Sequence, residues 1–311
     1  MDQNSYEALH KRAAWIDLTG RGKIRAMGED RARLLHSMTT AHIQQLIPGA
    51  GCYAFFLTAQ GRILADAHVF AMTDYLLIDT EPETKQRVFD HLDKFIIADD
   101  VILRDFTDDY ATLNVEGPHA AQVLERLGAP LAHEPCSIAE WSHSEVAHVS
   151  YTGQPGYSFF VPCEHMKDCI AKLTDAGVVQ ADIATAETVR IENAKPRYGV
   201  DITEMSIPQE TQQMYAVHPS KGCYIGQEIV ERVRARGHLN KMLYPLEIAG
   251  EFAPAPGLPI QADGKDVGTI TSAAFSPLKG KVVALGIVRT EAVNGPLTVN
   301  GASAVVRPAA H

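Results

Sequence analysis

The stretch KGCYIGQE, Lys221 to Glu228, packs a lysine, a thiol, two glycines and a carboxylate into eight residues. The reacting form of a cysteine is the thiolate, which a nearby ammonium group or a helix N-terminus favours. Cys223 lies two residues from Lys221, just ahead of QEIVERVRARG, a helix-like run with Glu228 in its first turn and Gly237 at its end. Gly222 and Gly226 let the backbone turn sharply or approach a ligand closely. These residue types suit a reactive thiol held beside a bound ligand. They also suit a packed structural cysteine or a metal ligand, and spacing alone does not separate the three.

The same helix carries Arg232, Arg234 and Arg236, with Arg232 and Arg236 four apart on one face. Between Lys221 and Lys241, five cations stand against two anions, Glu228 and Glu231. That local excess could hold an anionic tail or simply form a solvated face. Upstream, ATAETVRIENAKPRYGVDI reads as a helix ending near Pro196, with Arg190 and Glu192 near its C-terminal end. The helix dipole disfavours a carboxylate there, so Glu192 needs a partner or open solvent. His133, Cys136, His143 and His148 cluster in one stretch, and CEHMKDC holds Cys163, His165 and Cys169. Neither spacing matches a zinc pattern, and no metal is expected.

The elements that must position these residues begin with KIRAM, a strand, and GEDRARLLHSM, a helix with Ala32, Leu34, Leu35 and Met38 for a buried face. CYAFFLT, RILADAHVFA and YLLIDT read as an antiparallel meander with turns at Gln60-Gly61 and Thr73-Asp74. PETKQRVFDHLDKFI is an amphipathic helix on which Val88, His91, Leu92 and Phe95 share a face. IRAMGEDRARLLHSM then echoes LNVEGPHAAQVLERL without gaps, matching Gly28 to Gly117, Ala32 to Ala121 and Leu35 to Leu124. Either ordinary strand-Gly-helix signals coincide, or a lobe is duplicated and a ligand cleft lies between the halves. From Leu243 onward, short strands separated by Asp263-Gly264, Ser276-Pro277, Asn294-Gly295 and Asn300-Gly301 read as a small antiparallel barrel. GHLNKM is the expected linker. The predicted fold is α+β: two related, ferredoxin-like strand-helix lobes in residues 1–237, the second beginning near 110, then a β-barrel in 243–311.

The 311 residues are 46% hydrophobic and 21% charged, an ordinary globular balance. No apolar run approaches the roughly 18 residues a membrane helix needs, and the N-terminal stretch reads neither as a secretion signal nor as a transit peptide. The expected setting is the cytoplasm. A net charge of -10 argues against a general nucleic-acid or membrane binder. Cys52, Cys136, Cys163, Cys169 and Cys223 are scattered without a CxxC, which fits free thiols in a reducing compartment.

KGCYIGQE resembles the signature of the YgfZ-type folate-binding proteins, a branch of the glycine-cleavage T-protein superfamily. Further stretches resemble family segments in the right order: GRGKIRAMGEDRARLLHSMTT, LTAQGRILADAHVF, ATLNVEGPHA, VRIENAKPRYGVDI, IPQE and GTITSAAFSPLKGKVVALGIVR. The resemblance implies a T-protein-like fold and non-covalent binding of tetrahydrofolate or a derivative in a cleft. It implies a role in making or repairing iron–sulfur enzymes, including those that modify tRNA. It maps a reactive pair onto Cys223 and Lys221, and places Glu192 on the pterin. Arg190, Tyr224, Gln227, Arg232 and Arg236 are expected as further folate contacts, and Gly222, Gly226 and Glu228 as motif positions. The implied partners are folate and, transiently, iron–sulfur proteins or their assembly machinery, with no direct nucleic-acid contact and a monomeric chain.

T-proteins that transfer aminomethyl groups carry an aspartate just after a lysine at the start of the helix following the meander. Aligning that lysine with Lys85 puts Gln86 at the aspartate position, with Glu83 nearby. An amide cannot exchange a proton near neutral pH, so the chain is not expected to be an aminomethyltransferase. The alternative is a folate-dependent one-carbon transferase, with Asp66 or Glu83 as the acid.

Overall fold

A computed structural model describes residues 1–307. The first part runs α1 (Gln3–Lys11), β1 (Ala14–Asp17), β2 (Gly22–Met27), α2 (Arg31–Met38), β3 (Gly51–Leu57), β4 (Ile63–Ala71), β5 (Tyr75–Thr80), α3 (Lys85–Asp93) and β6 (Ile102–Asp105). The second continues with β7 (Tyr110–Glu116), α4 (Ala120–Leu127), β8 (Ile138–Trp141), β9 (Ser144–Ala147), β10 (Gly156–Pro162), α5 (Met166–Asp175), β11 (Val179–Ala181) and α6 (Ile183–Glu192). Then come α7 (Gln227–Arg236), β12 (Lys241–Ile248), β13 (Pro259–Ala262), β14 (Lys265–Ser276), β15 (Lys281–Arg289), β16 (Leu297–Val299) and β17 (Ala302–Val306). The mixed α+β class and the closed six-stranded barrel, ordered β12-β15-β14-β13-β16-β17, are those expected from the sequence.

The duplication is visible in strand order. One sheet runs β3-β4-β5-β2-β6 and the other β8-β9-β10-β7-β1-β11, the same succession with β1 inserted. Gly28 and Gly117, matched in the sequence echo, do the same job. Each ends a strand at positive φ, 97° and 128°, and each brings its backbone against a crossing segment. A Cβ at Gly28 would lie 2.1 Å from the Asp100 carbonyl oxygen, and one at Gly117 would lie 2.6 Å from that of Arg12. Only glycine tolerates both the dihedral and the approach. Each lobe then buries its own apolar set. Leu35, Phe56, Val69, Ile78 and Leu92 fill the first, and Leu113, Val115, Leu124, Phe159 and Leu173 the second.

The N-terminal end of the chain crosses to the second lobe. β1 lies outside the sheet formed by its sequence neighbours and pairs antiparallel with β7 and parallel with β11. Its Ala14, Trp15 and Ile16 are buried there. Residues 1–17 therefore build the second lobe, which a boundary near 110 does not convey. The cause is a pairing of high sequence separation, which no local pattern records.

Candidate functional site

Alternation along the first sheet builds the site. In β4, Ala65, Ala67 and Val69 enter the lobe core, so Asp66 and His68 point out from the opposite face. Tyr53 of β3 and Asp79 of β5 share that face. They line a cavity of about 1310 Å³, closed by Ser150, Tyr151 and Ser158 of the second lobe. Lys195, Arg197, Gln213 and Tyr215 from the segment after α6 complete it, with Arg234 of α7 on its wall.

The carboxylates of this face are held in opposite states. Asp79 receives Arg21 Nε at 2.9 Å and Nη2 at 3.0 Å. Across the register His68 stands 3.6 Å away. Burial alone would raise the Asp79 pKa, but the Arg21 charge and these hydrogen bonds bring it down to about 2. Arg21 also meets Glu81, whose other oxygen accepts from Arg197 Nε at 2.9 Å. Asp66 has no such partner. Burial and the Glu81 charge push its carboxyl up to about 6, against the lowering effect of the Tyr53 hydroxyl, which donates to Oδ2 at 2.6 Å. Tyr215 lies over Tyr53 with ring centroids 5.7 Å apart. A protonatable acid at the edge of an aromatic pair can exchange a proton with a flat polar ligand near neutral pH.

The signature segment is placed differently from the sequence expectation. Lys221 is buried, and its Nζ donates to the carbonyls of His36 and Thr39, capping the end of α2. Burial lowers its pKa to about 8. Two of its three donors go to α2 and its charge lies over the Tyr224 ring, 4.7 Å from the centroid, while the Cys223 thiol is exposed outside the cavity lining. Tyr224 is buried with Leu57 and Ile63, its phenol pushed up to about 12 by that burial. Gly222 and Glu228 are exposed and Gln227 is half-buried. Gly226, at φ 84°, packs on the β3–β4 turn: a Cβ there would lie 2.6 Å from the Thr58 carbonyl oxygen. On α7, Val230, Glu231 and Arg234 face the cavity, whereas Arg232 and Arg236 lie about half a helical turn away in solvent. The expected pairing of Arg232 with Arg236 at the ligand thus falls on the wrong helix face.

Glu192 has its partner, but not in the cleft. It accepts from Tyr6 at 2.5 Å and pairs with His10 at 2.8 Å, pinning α1 to α6. Arg190 reaches the cavity wall, 1% exposed, with its guanidinium committed to Glu187 at 2.9 Å and Asp201 at 2.7 Å. Gln86, placed by the sequence alignment beside the reacting atoms, is bonded to Asp90 at 2.7 Å on the outer face of α3. That removes the ground for excluding aminomethyl transfer, because the cleft acid comes from Asp66 on β4. Tyr53, His68, Arg21 and Lys195 also line the cavity and were not singled out from the sequence. The signal for Asp66 and His68 was the pair of polar residues two apart in an otherwise apolar strand. Among the described residues, no helix is long and apolar enough to cross a membrane.

Two family models match the chain. The GCVT N-terminal domain covers residues 2–221, and the glycine cleavage T-protein C-terminal barrel domain covers 241–306. An aminomethyltransferase of Rubrobacter xylanophilus is 26% identical over 300 residues, spanning 93% of this chain and 80% of the relative. A putative chloroplastic transferase of Arabidopsis thaliana is 26% identical over 308 residues, spanning 94% and 69%. The crystal structure of glycine cleavage system aminomethyltransferase T from Bartonella henselae superposes with a TM-score of 0.90 at 19% identity, over 98% of this chain and 88% of that one.

Proposed function

Since the chain belongs to the glycine cleavage T-protein family, we propose that it binds a reduced folate between its lobes and transfers a one-carbon group with Asp66 as proton manager. One observation carries this reading: a buried carboxyl pushed up to about 6 faces a large cleft. The cavity suits the group, with aromatic rings at Tyr53 and Tyr215 for a flat ring system and a single acid that can donate or accept. Tetrahydrofolate, when bound, supplies the nitrogens that carry the one-carbon unit. Asp66 holds or takes up the proton there, Tyr53 fixes its orientation, and Arg21 keeps Asp79 ionised and out of the exchange. A positioned acid or base contributes about 10²- to 10⁴-fold. The test is Asp66→Asn. Calorimetry with tetrahydrofolate should give an affinity within about threefold of wild type, while transfer from an aminomethylated lipoyl carrier falls about 10²- to 10⁴-fold. An undiminished rate removes Asp66, and wild-type protein that binds no folate removes the reading.

Cys223 favours a second role. Its thiol is exposed just ahead of α7, reachable by a macromolecule, within the segment that resembles the YgfZ-type signature. On this reading the folate-bound protein assists assembly or repair of iron–sulfur enzymes, including tRNA-modifying ones, as a cytoplasmic monomer with transient partners. Cells carrying Cys223→Ala should lose iron–sulfur enzyme activity while the purified variant keeps its folate affinity. Unchanged enzyme activity in those cells sets the role aside.

A further inference from the structure

One row of side chains crosses the cleft face at a single register. Tyr53 of β3 stands opposite His68 of β4, and His68 stands opposite Asp79 of β5. The imidazole is held on three sides. It stacks on Phe70 with ring centroids 6.2 Å apart and tilts against Tyr53 at 5.1 Å. Its Nδ1 is buried and faces Asp79 Oδ2, 3.6 Å away. Asp79 is ionised and fixed by Arg21, so it offers the ring only acceptors. An imidazole beside such a carboxylate carries its proton on Nδ1, which leaves the Nε2 lone pair free. Nε2 makes no hydrogen bond among the described residues, and the ring lines the cavity. A fixed imidazole with a carboxylate behind it and a bare nitrogen in front has the arrangement of a general base.

Asp66 supplies the other half. It projects from β4 on the same face, two residues before His68, so the two flank one stretch of the cavity. Burial, with the Glu81 charge, pushes the Asp66 carboxyl up to about 6. Burial, with the Arg21 and Lys195 charges, lowers the His68 pKa against the pull of Asp79. One group is thus favoured as a neutral acid and its neighbour as a neutral base. Group transfer to a nitrogen that bears hydrogen needs both. A proton leaves that nitrogen as its bond to carbon forms, and the carrier atom that the carbon leaves takes one up.

We propose that His68 is the base of the cleft, taking the proton of the accepting folate nitrogen at Nε2 while Asp66 protonates the departing carrier atom. This rests on the folate reading. The nitrogen–carbon bond forms, and the bond from carbon to the carrier atom breaks with its electron pair left on that atom. His68 gains one proton and Asp66 loses one. Both reset with solvent as products leave, and no electrons are gained or lost overall. Asp79 acts through His68 as a positioning residue.

The first test needs no turnover. Full-length protein is labelled with nitrogen-15 in its histidines, and the His68 signal is identified by its loss in His68→Gln or His68→Asn. At neutral pH it should show the Nδ1–H tautomer, the reverse of the form that free histidine side chains favour, and saturating tetrahydrofolate should shift its Nε2 resonance. The second test is the pH profile of transfer from an aminomethylated lipoyl carrier. The wild-type rate should fall as pH drops through the His68 titration below 6.5, and fall again as pH rises through that of Asp66 near 6. His68→Gln should lower the rate about 10²- to 10⁴-fold, lose the acid limb and keep tetrahydrofolate affinity within about threefold. An Nε2–H tautomer in the wild type overturns the proposal. So does a His68→Gln protein that keeps its rate and its acid limb. A loss of more than about 10-fold in its tetrahydrofolate affinity also overturns it, by making His68 a binding contact. Wild-type protein that binds no tetrahydrofolate, or an undiminished rate in Asp66→Asn, fails the parent reading instead; neither result depends on a His68 variant, so the two failures are told apart.

Discussion

Asp66 and Asp79 share one sheet face, yet burial acts on both and only one is compensated. The consequence for pH runs in opposite directions. Asp66, raised from 3.8 to about 6, binds its proton more tightly in the folded protein. Its contribution is favourable below pH 4 and is lost as pH rises through 6, on the order of 3 kcal/mol in all. Asp79, lowered to about 2, stabilises above pH 4 and loses that contribution as pH falls through 2. Asp66→Asn should therefore be more stable than wild type at pH 8 and flatten the stability profile between pH 4 and 6. Urea unfolding at stepped pH measures this, and an unchanged slope would contradict the assignment. Glu192→Ala makes a second case. Its carboxylate ties Tyr6 and His10 away from the cleft, so the variant should lose about 1–3 kcal/mol of stability and keep its folate affinity. Calorimetry on folded variant, with a 10-fold loss of affinity, would return Glu192 to the site. The dense chemistry of KGCYIGQE drew the sequence reading to Lys221 and Cys223, because motif spacing is local. Asp66 and Lys195 become site residues only once the sheet face and the segment after α6 meet across the cleft, which spacing does not encode.

At the scale of elements, the signature is a docking device. Lys221 caps α2, and Gly226 meets the β3–β4 turn, where Gly61 in turn faces Ile229. Lys221→Met should cost about 1–3 kcal/mol by stranding the α2 carbonyls, lowering Tm by several degrees while thiol alkylation at Cys223 stays at its wild-type rate. A slowed alkylation would restore the activating role read from the sequence. The helix and strand signals were legible wherever periodicity and glycine punctuation agreed, as in α2, α7 and the barrel strands. Asp263-Gly264 does turn β13 into β14, with Asp263 at φ 50°. β1 was not legible in the same way, since its partners lie about a hundred residues or more downstream.

For the whole molecule, Asp201 is the joint between lobes and barrel. One oxygen accepts from Arg190 at 2.7 Å, and the other from Thr271 and Ser272 of β14 at 2.6 Å each. Asp201→Ala would leave Arg190 with Glu187 as its remaining charge partner and strand the Thr271 and Ser272 hydroxyls, costing about 1–3 kcal/mol. The barrel should then melt separately from the lobes, and a single cooperative calorimetric peak would argue against that joint. The N-terminal end that crosses to the second lobe has its own consequence during synthesis. β1 leaves the ribosome with its apolar Ala14, Trp15 and Ile16, but β7 begins only at Tyr110. At about 5–20 residues per second, the nascent chain carries an unpaired, aggregation-prone strand for roughly 5–20 seconds. Translation speed across the first lobe, and the chaperones that shield its opening segment, thus bear on the yield of native protein.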